Sequence, residues 1–288
     1  MKNNIKLAIQ KSGRLSNDST KLLKSAGFQF EVFERRLFTT CRNYPLEIIY
    51  SRDDDICNLV VEGIVDIGIV GQNLVNEKRL KVKKLLNLRF GFCSLAVAIP
   101  KKSKIKQISD LNGLTIAATY TKSAQKFLKD NNITAKLIKM YGGVEAAPTL
   151  GTADAIIDLV SSGSTLAMND LKILTIIYNS EAVLIANAKS MKATKKNKIL
   201  NQILLRFKGI LSAKTYKYIS LNTPKKILPK LKKKLHSPVP LTIRQLMRPD
   251  WINVQCVIKE DVLWDTTGLL KKLGVTNILV LPIEKIIN

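Results

Sequence analysis

The sequence has 288 residues, which is long enough for two or three domains with a large buried core. Hydrophobic residues make up 46% and charged residues 24%, proportions that exclude a disordered chain and indicate a soluble globular one. No apolar run reaches the ~18 residues of a membrane span, and the first residues lack the apolar stretch of a signal peptide. A cytoplasmic protein without a membrane partner is therefore expected.

The formal net charge of +25 allows nucleic-acid binding as one interpretation. The lysines are scattered, however, and few aromatic residues lie among them, which favours solvated helix faces over a nucleic-acid interface. A basic surface would still attract polyphosphate substrates. The four cysteines form no Cys-x-x-Cys pair and His236 is the single histidine, so neither a zinc site nor Ser-His-Asp catalysis is expected.

The beginning of the chain pairs a strand with a cationic turn. An apolar strand at residues 5–9 leads into Gln-Lys-Ser-Gly-Arg-Leu at 10–15, and Ser16 or Asn17 can cap the helix that follows. A strand that ends in such a glycine turn before a helix is typical of an anion or nucleotide site. Three aspartates at 53–55 fit the first turn of a helix better than they fit a metal.

Strands and helices continue to alternate up to residue 213. We predict strands at 46–50, 66–71, 92–99, 114–118, 136–140, 174–178 and 182–186, helices at 56–65, 124–130 and 191–213, and a helix followed by a loop over 74–90. Strands that alternate with helices of about ten residues predict α/β lobes with parallel sheets.

The stretch 155–168 carries the strongest functional pattern. The apolar run 155–157 predicts a buried parallel strand that stops at Asp158, and the small hydroxylated loop 161–165 then leads into a helix start. Amides at a helix N-terminus, together with hydroxyls, form an anion cradle, and Gly163 lets the backbone approach a ligand closely. Acidic residues before the loop suit sugar hydroxyls or a metal held through water, so the stretch indicates a phosphorylated sugar. An ordinary βα turn with a Ser or Thr N-cap explains the loop equally well.

Residues 214–288 follow a different order. Predicted strands lie at 216–221, 240–245, 251–258 and 278–281, and predicted helices begin at Thr223-Pro224 and at Asp261. The order βαββαβ predicts a ferredoxin-like unit. Because such units often pair or bind small ligands, a regulatory domain is expected here.

Five segments resemble, in this order, those of the ATP phosphoribosyltransferase family: 10–15, 52–56, 142–145, 154–166 and 281–285. The resemblance covers nearly the whole chain, and the last segment falls in what looks like the extra domain of the family's long form. It implies two periplasmic-binding-protein-like lobes around a cleft, plus the ferredoxin-like domain. The implied division is lobe I at 1–94 and 177–213, lobe II at 95–176 and a regulatory domain at 214–288.

The resemblance implies the first step of histidine biosynthesis, in which N1 of the ATP adenine takes the phosphoribosyl group of phosphoribosyl pyrophosphate while Mg²⁺ neutralises the pyrophosphate. The implied catalytic residues are Glu145 and Asp158. Implied contacts to phosphoribosyl pyrophosphate come from Asp154, Asp158, Ser161, Ser162, Gly163, Ser164 and Thr165, and those to ATP from Lys11, Gly13, Arg14, Arg52 and Asn73.

The family implies further partners and regulation. Histidine would act as a feedback inhibitor at Asn222 and Thr223, AMP as a second inhibitor, and the chain would form a homo-oligomer in which dimers build a hexamer. No nucleic-acid partner is implied. The alternative is a non-catalytic two-lobe protein whose cleft holds a small anion. The connection at 76–90 looks shorter than in long-form enzymes, and the chain is unusually basic for the family.

Overall fold

The computed structural model describes residues 4–32, 36–188, 194–235 and 237–287. His236 lies outside these residues. The chain divides into two compact units, residues 1–200 and 201–288. Among the helices that the structure describes, none is long and apolar enough to cross a membrane. The thiols of all four cysteines are free and buried.

The first unit contains eleven of the described strands and most of the helices. In chain order the strands are β1 (Ile5–Gln10), β2 (Phe38–Thr40), β3 (Leu46–Ser51), β4 (Ile67–Gly71), β5 (Lys83–Asn87), β6 (Cys93–Pro100), β7 (Thr115–Ala118), β8 (Lys136–Lys139), β9 (Ala155–Val160), β10 (Leu171–Ser180) and β11 (Ala182–Ala186). The helices are α1 (Ser16–Ser25), α2 (Asp53–Val61), α3 (Gln72–Lys78), α4 (Thr121–Asp130), α5 (Ser164–Met168) and the first residues of α6 (Thr194–Ala213), which continues into the second unit. Short 3₁₀ helices occupy Ile108–Leu111 and Val144–Ala146.

Within the described part of this unit, the strands form two sheets. The first has the order β2-β3-β1-β4-β11-β5, and β1 runs parallel to both β3 and β4. The second has the order β10-β6-β9-β7-β8, and β7 runs parallel to both β8 and β9. In each sheet, the carboxyl ends of three parallel strands therefore lie along one edge, where α/β proteins bind ligands.

Each sheet packs against its own apolar cluster. The first sheet packs β4 and β11 against α2, and the fully buried members of this cluster include Ile56, Val60 and Ile185. The second sheet packs Val97, Ile116 and other buried strand residues against α4. Because the apolar residues of the central strands are buried on both faces, those strands read as continuous apolar runs in the sequence.

The chain passes from the first sheet to the second between β5 and β6, and returns between β10 and β11. The returning passage is a single residue, Glu181. Its carboxylate accepts hydrogen bonds from Asn87 Nδ2 and from the Arg89 backbone N–H, both at 2.8 Å, so it ties the two passages together.

Two local predictions in this unit were wrong. The stretch 79–90 was expected to be a loop, but β5 pairs antiparallel with β11 there. The strand was not predicted because β5 contains lysines. An edge strand with half-exposed side chains lacks the apolar run of a buried strand. The strand β9 was expected to stop at Asp158, but it continues to Val160, pairing with β6 on one side in the antiparallel sense.

The second unit contains the ferredoxin-like order that the sequence predicts. After the end of α6 come β12 (Tyr216–Pro224), α7 (Leu228–Lys234), β13 (Thr242–Gln245), β14 (Trp251–Lys259), α8 (Leu263–Lys272) and β15 (Thr276–Pro282). The antiparallel sheet has the order β13-β14-β12-β15. Thr223 and Pro224 end a strand rather than begin a helix, since Thr223 pairs with Ile252 in the sheet. The predicted fold class, two α/β lobes and a βαββαβ unit, is confirmed.

Candidate active site

Loops with polar residues follow the carboxyl ends of the parallel strands in both sheets of the first unit. In the first sheet, residues 11–15 follow β1, Arg52 follows β3 and α3 begins directly after β4. In the second sheet, Thr119 and Tyr120 follow β7, and the loop 161–163 follows β9. These are the positions at which a doubly wound sheet presents ligand-binding groups.

A cavity of about 240 Å³ lies where the two edges meet. Its lining includes Gln10, Arg14, Asp53 and Asn73 from the first sheet and Tyr120, Leu159 and Ser161 from the second. The cavity is therefore a cleft between the sheets, with cationic and acidic groups on one wall and an aromatic and a hydroxyl group on the other.

The loop 161–165 leaves open space above a glycine. Gly163 has φ 78°, in the left-handed region, and a Cβ added to it would meet nothing within 4 Å. The glycine is therefore required by the backbone conformation and not by crowding. The Ser162 and Ser164 hydroxyl oxygens lie 2.9 Å apart, and Ser161 Oγ donates to the Phe92 carbonyl at 3.2 Å. Helix α5 begins at Ser164, directly after this glycine, and the Ser164 N–H donates to Ser162 Oγ at 3.4 Å.

Asp158 lies in β9, three residues before this loop, and is largely buried. Burial and, to a lesser degree, the charge of Glu145 raise the pKa of its carboxyl to about 6, against hydrogen bonds from the Leu159 amide and the Thr119 hydroxyl. The structure thus brings Asp158 together with Glu145, which lies in the 3₁₀ helix after β8, and with Thr119 after β7. An acidic group of β9 and one of the segment after β8 therefore interact through their charges.

Tyr120 is a site residue that the sequence patterns did not indicate. Burial raises the pKa of its phenol, as do the charges of Asp158 and Asp53, while Arg14 opposes the shift. The phenol therefore lies among charged groups contributed by both sheets. Its only sequence signal is its place directly after a short apolar strand, which many structural residues share.

Asn73 is nearly fully buried beside the returning passage of the chain. Its N–H donates to Ser180 Oγ at 3.0 Å, and Ser180 Oγ donates to Asn73 Oδ1 at 3.2 Å. A Cβ at Gly71 would lie 2.2 Å from Asn73 Oδ1, so the glycine makes room for this side chain. Asn73 therefore supports the wall of the cleft as well as lining it.

The cationic turn after β1 places one of its two cations at the cavity. Arg14 lines the cavity, whereas Lys11 is exposed in the same turn. The turn is fixed by Gln10, whose Oε1 accepts the Leu15 N–H at 2.9 Å, and Gly13 has φ 109° beside it. Arg52 is exposed just before α2, at the same edge of the sheet, but it is not part of the cavity wall.

Asp154, the first aspartate of this motif, lies at the opposite end of β9 from the loop. Asp154 precedes β9, and its carboxylate accepts the Thr115 backbone N–H at 2.9 Å, at the start of β7. The six residues of β9 separate it from the loop by about 20 Å, given the rise of a strand. Asp154 therefore secures the amino ends of two strands and is left out of the site.

The remaining candidate residues are those for a metal ion and those for an inhibitor. Over the residues that the structure describes, no group of three or more His, Cys, Asp or Glu side chains is arranged to hold a metal ion. In the second unit, Asn222 Oδ1 accepts Asn253 Nδ2 at 2.9 Å, and Thr223 is fully buried with its hydroxyl lacking a hydrogen-bond partner.

Comparisons with known proteins agree over nearly the whole chain. The family described as ATP phosphoribosyltransferase matches residues 52–209, and the family described as HisG, C-terminal domain, matches residues 213–285. A protein named ATP phosphoribosyltransferase from Cytophaga hutchinsonii is 40% identical over 284 residues, covering 99% of each chain. Its counterpart from Parabacteroides distasonis is 40% identical over 283 residues, covering 98% of this chain and 99% of that one. The fold is similar to a chain in the HisG:HisZ complex of ATP phosphoribosyl transferase from Thermotoga maritima, with TM-score 0.61, 24% identity and coverage of 70% and 98%.

Proposed function

This chain belongs to the ATP phosphoribosyltransferase family and catalyses the first step of histidine biosynthesis, and we propose that the loop 161–165 binds phosphoribosyl pyrophosphate while the facing turn at Arg14 binds ATP. The observation that carries this assignment is the cleft itself. It joins a cationic wall after β1 to the open glycine loop after β9. Two polyanionic substrates can therefore approach one another from opposite sheets.

The chemistry requires alignment and charge compensation. N1 of the adenine forms a bond to C1 of the ribose, the bond from C1 to the pyrophosphate oxygen breaks, and the electron pair leaves with the pyrophosphate. The ribosyl centre gains positive charge as the leaving group gains negative charge. An enzyme accelerates such a reaction by holding both reactants in line and by placing fixed charges where charge develops.

We place the 5-phosphate of phosphoribosyl pyrophosphate on the loop. The loop carries the amides of 162–165 and the hydroxyls of Ser162, Ser164 and Thr165, and a Cβ at Gly163 would meet nothing within 4 Å. Backbone N–H groups at a helix start bind phosphate in many proteins. Asp158 then accepts hydrogen bonds from the ribose hydroxyls, since it lies at the end of the same strand and is fixed by Thr119.

Glu145 is assigned to the reacting centre. Its negative charge acts on Asp158, so it lies close to the position of the ribose in this arrangement. A carboxylate there stabilises positive charge that develops at C1. The role differs from that of Asp158, which holds the sugar.

The opposing wall is assigned to ATP. Arg14 carries a planar cation that can bind phosphate oxygens in pairs, and Asn73 and Gly13 shape the wall around it. Lys11 and Arg52 lie at the same edge and add positive charge at its mouth. We assign them to attraction of the triphosphate and not to a fixed contact.

We further propose that Mg²⁺ enters the cleft with the pyrophosphate group. The part of the chain that the structure describes offers the pair Asp158 and Glu145, and not a closed set of three or more acidic ligands. This fits Mg²⁺, which keeps several waters and is held by one or two carboxylates and by substrate phosphates. When bound, the ion neutralises the leaving group.

Regulation is assigned to the second unit. We propose that histidine inhibits the enzyme at a site that includes Asn222 and Thr223, because the buried Thr223 hydroxyl still has an unused hydrogen-bonding capacity. AMP would compete with ATP, and dimers would assemble into a hexamer. Inhibition assays with histidine and AMP, and light scattering with and without histidine, test these assignments.

Binding of phosphoribosyl pyrophosphate to the double variant Ser162→Ala, Ser164→Ala tests the assignment of the loop. Loss of both hydroxyls should weaken binding by at least about 100-fold, since each hydroxyl contributes a hydrogen bond to a charged group, worth about 1.5–3 kcal/mol. Asn112→Ala is a suitable control, because Asn112 Oδ1 accepts the Thr134 N–H at 2.9 Å just before β7, at the opposite edge of the sheet from the loop. Equal affinities in the wild type and the double variant would refute the assignment. Release of pyrophosphate from ATP, phosphoribosyl pyrophosphate and Mg²⁺ measures the reaction itself and separates it from passive anion binding.

A further inference from the structure

Helix α4 receives its N-terminal cap from a residue 45 positions earlier in the sequence. Glu77 Oε1 accepts the Lys122 N–H at 2.9 Å, and Glu77 Oε2 accepts the Ser123 N–H at 2.8 Å. The helix provides no cap of its own: Tyr120 occupies the N-cap position without a side-chain hydrogen bond, and the first turn has no acidic residue. A carboxylate that accepts two of the orphan amides and faces the positive end of the helix dipole is a strong cap.

This cap joins the two walls of the cleft. Glu77 belongs to α3, which begins directly after β4 of the first sheet, whereas α4 follows β7 of the second sheet. A second tie lies beside it, because the Tyr178 hydroxyl is hydrogen-bonded to Ser123 Oγ at 3.4 Å and to the Asn76 side chain. Asn76 also lies in α3.

The capped turn begins next to the proposed site. Tyr120 immediately precedes it, lines the cavity and packs against the apolar clusters of both sheets. Thr119, one residue earlier, is hydrogen-bonded to Asp158. A displacement of the α4 N-terminus would therefore move the Tyr120 wall away from Arg14 and disturb the support of Asp158.

We propose that Glu77 is a positioning residue that holds the two sheets in the arrangement in which the cleft binds both substrates. The inference rests on the proposed location of the two substrates on opposite walls. If the binding arrangement is populated to a fraction f, the apparent dissociation constant of each ligand is its intrinsic value divided by f. Loss of the cap lowers f and therefore weakens the binding of both substrates by the same factor. Loss of a direct contact weakens the binding of one substrate only.

The variant Glu77→Gln keeps the shape of the side chain and removes the charge. We expect the KM values for ATP and for phosphoribosyl pyrophosphate, each measured with the other substrate well below saturation, to rise together by about three- to tenfold. The value of kcat at saturation of both substrates should change by less than about twofold. Glu77→Ala should give the same pattern with a larger rise, and Glu77→Gln alone decides the matter if the alanine variant does not fold.

Asp110→Asn is the matched control. Asp110 Oδ2 accepts the N–H groups of Lys106 at 2.8 Å and Gln107 at 3.1 Å, so it also caps a short helix through two amides. That cap lies entirely on the side of the second sheet. It should leave both KM values unchanged. Equal rises in the two variants would show that any lost cap weakens binding and would overturn the proposal.

Hydrogen exchange at the Lys122 and Ser123 amides provides an independent readout. Both amides should exchange faster in Glu77→Gln than in the wild type, and saturating phosphoribosyl pyrophosphate should restore much of the protection. Unchanged KM values, or a rise for one substrate alone, would overturn the proposal. Wild-type turnover and binding, measured in parallel, report on the proposed function separately, because their absence would refute the substrate assignment whatever the variant does.

Discussion

Asp158 and Glu145 are coupled through their charges, although Asp158 lies in β9 and Glu145 in the 3₁₀ helix after β8. Burial is the larger cause of the raised pKa of the Asp158 carboxyl, and with the charge of Glu145 it raises this pKa from 3.8 to about 6. A buried acid with such a pKa, next to a second acid and an open phosphate loop, is typical of a functional site and not of a stabilising ion pair. When both carboxyls are ionised, their repulsion and the burial of Asp158 destabilise the folded state.

Asp158→Asn should therefore stabilise the protein and reduce its activity. Because the pKa of Asp158 is higher in the folded state than in the unfolded state, the folded state binds the proton more tightly. The associated stability is present below about pH 4 and is lost as the pH rises through about 6. We expect the variant to exceed the wild type by about 1–3 kcal/mol in free energy of unfolding at pH 8, and by less at pH 5.

Urea unfolding at the two pH values measures this difference in stability, and steady-state turnover measures the loss of activity. Turnover of Asp158→Asn should fall by at least about 100-fold at pH 8, because a neutral amide cannot hold the ribose hydroxyls as a carboxylate does. A variant that is less stable than the wild type at pH 8, or one that turns over at a near-normal rate, would contradict the account.

Gly163→Ala should separate backbone strain from ligand binding. The residue has φ 78° with open space around its Cβ position, so alanine would cost about 1–2 kcal/mol through strain alone. Gly151, with φ 68° and open space, provides the same strain before β9, away from the loop. Both variants should lose similar stability in thermal unfolding. Only Gly163→Ala should weaken phosphoribosyl pyrophosphate binding, and equal affinities for the two variants would argue against the loop as the phosphate site.

Arg14→Gln should raise the KM for ATP by about tenfold, with a smaller effect on phosphoribosyl pyrophosphate, because a charge-assisted pair to phosphate is lost from one wall only. Arg42→Gln is the control. Arg42 forms an exposed ion pair with Glu31 away from the cavity, and such a pair contributes at most about 1 kcal/mol to stability. Initial-rate kinetics with each substrate varied in turn distinguishes the effects. A larger rise in the KM for phosphoribosyl pyrophosphate than in that for ATP would show that Arg14 binds phosphoribosyl pyrophosphate, and would reverse the two substrate assignments.

Lys196→Met should destabilise the first unit by about 3 kcal/mol, because it removes a cation that pairs with the buried Asp66 carboxylate. Lys196 Nζ lies 2.8 Å from Asp66 Oδ1, and the Asp66 side chain is 4% exposed. Lys126→Met breaks the exposed pair with Asp130 in α4 and should cost no more than about 0.5 kcal/mol. Urea unfolding of the two variants tests the contrast. Similar losses would mean that the buried pair does not hold α6 to the first sheet.

Most elements of the fold could be predicted from the sequence, because buried strands are continuous apolar runs and the helices carry periodic apolar faces. The edge strand β5 could not, since its lysines face solvent and its pairing with β11 joins segments far apart in the chain. The start of α4 could not either. Its cap comes from Glu77, and no local pattern reveals a partner in another helix.

The candidate site was predicted in part. Asp158 and the glycine loop follow from a strand and turn that are contiguous in sequence, and the structure adds Glu145 beside them. Asp154 and Asp158 belong to one motif, but Asp154 precedes β9 and bonds the Thr115 N–H, whereas Asp158 lies within the strand, nearer the loop. Tyr120 was missed because its role depends on charges from both sheets. Sequence motifs thus indicate which loops belong to the candidate site, and the structure is needed to show which of their residues come together.

The measurement that tests the assignment most directly is a crystal structure of the protein with phosphoribosyl pyrophosphate and Mg²⁺. We predict that the 5-phosphate lies on the amides of 162–165, with the ribose hydroxyls bonded to Asp158 and C1 turned toward the wall that carries Arg14. A 5-phosphate bound at Arg14, or anywhere outside this loop, would contradict the assignment of the two walls.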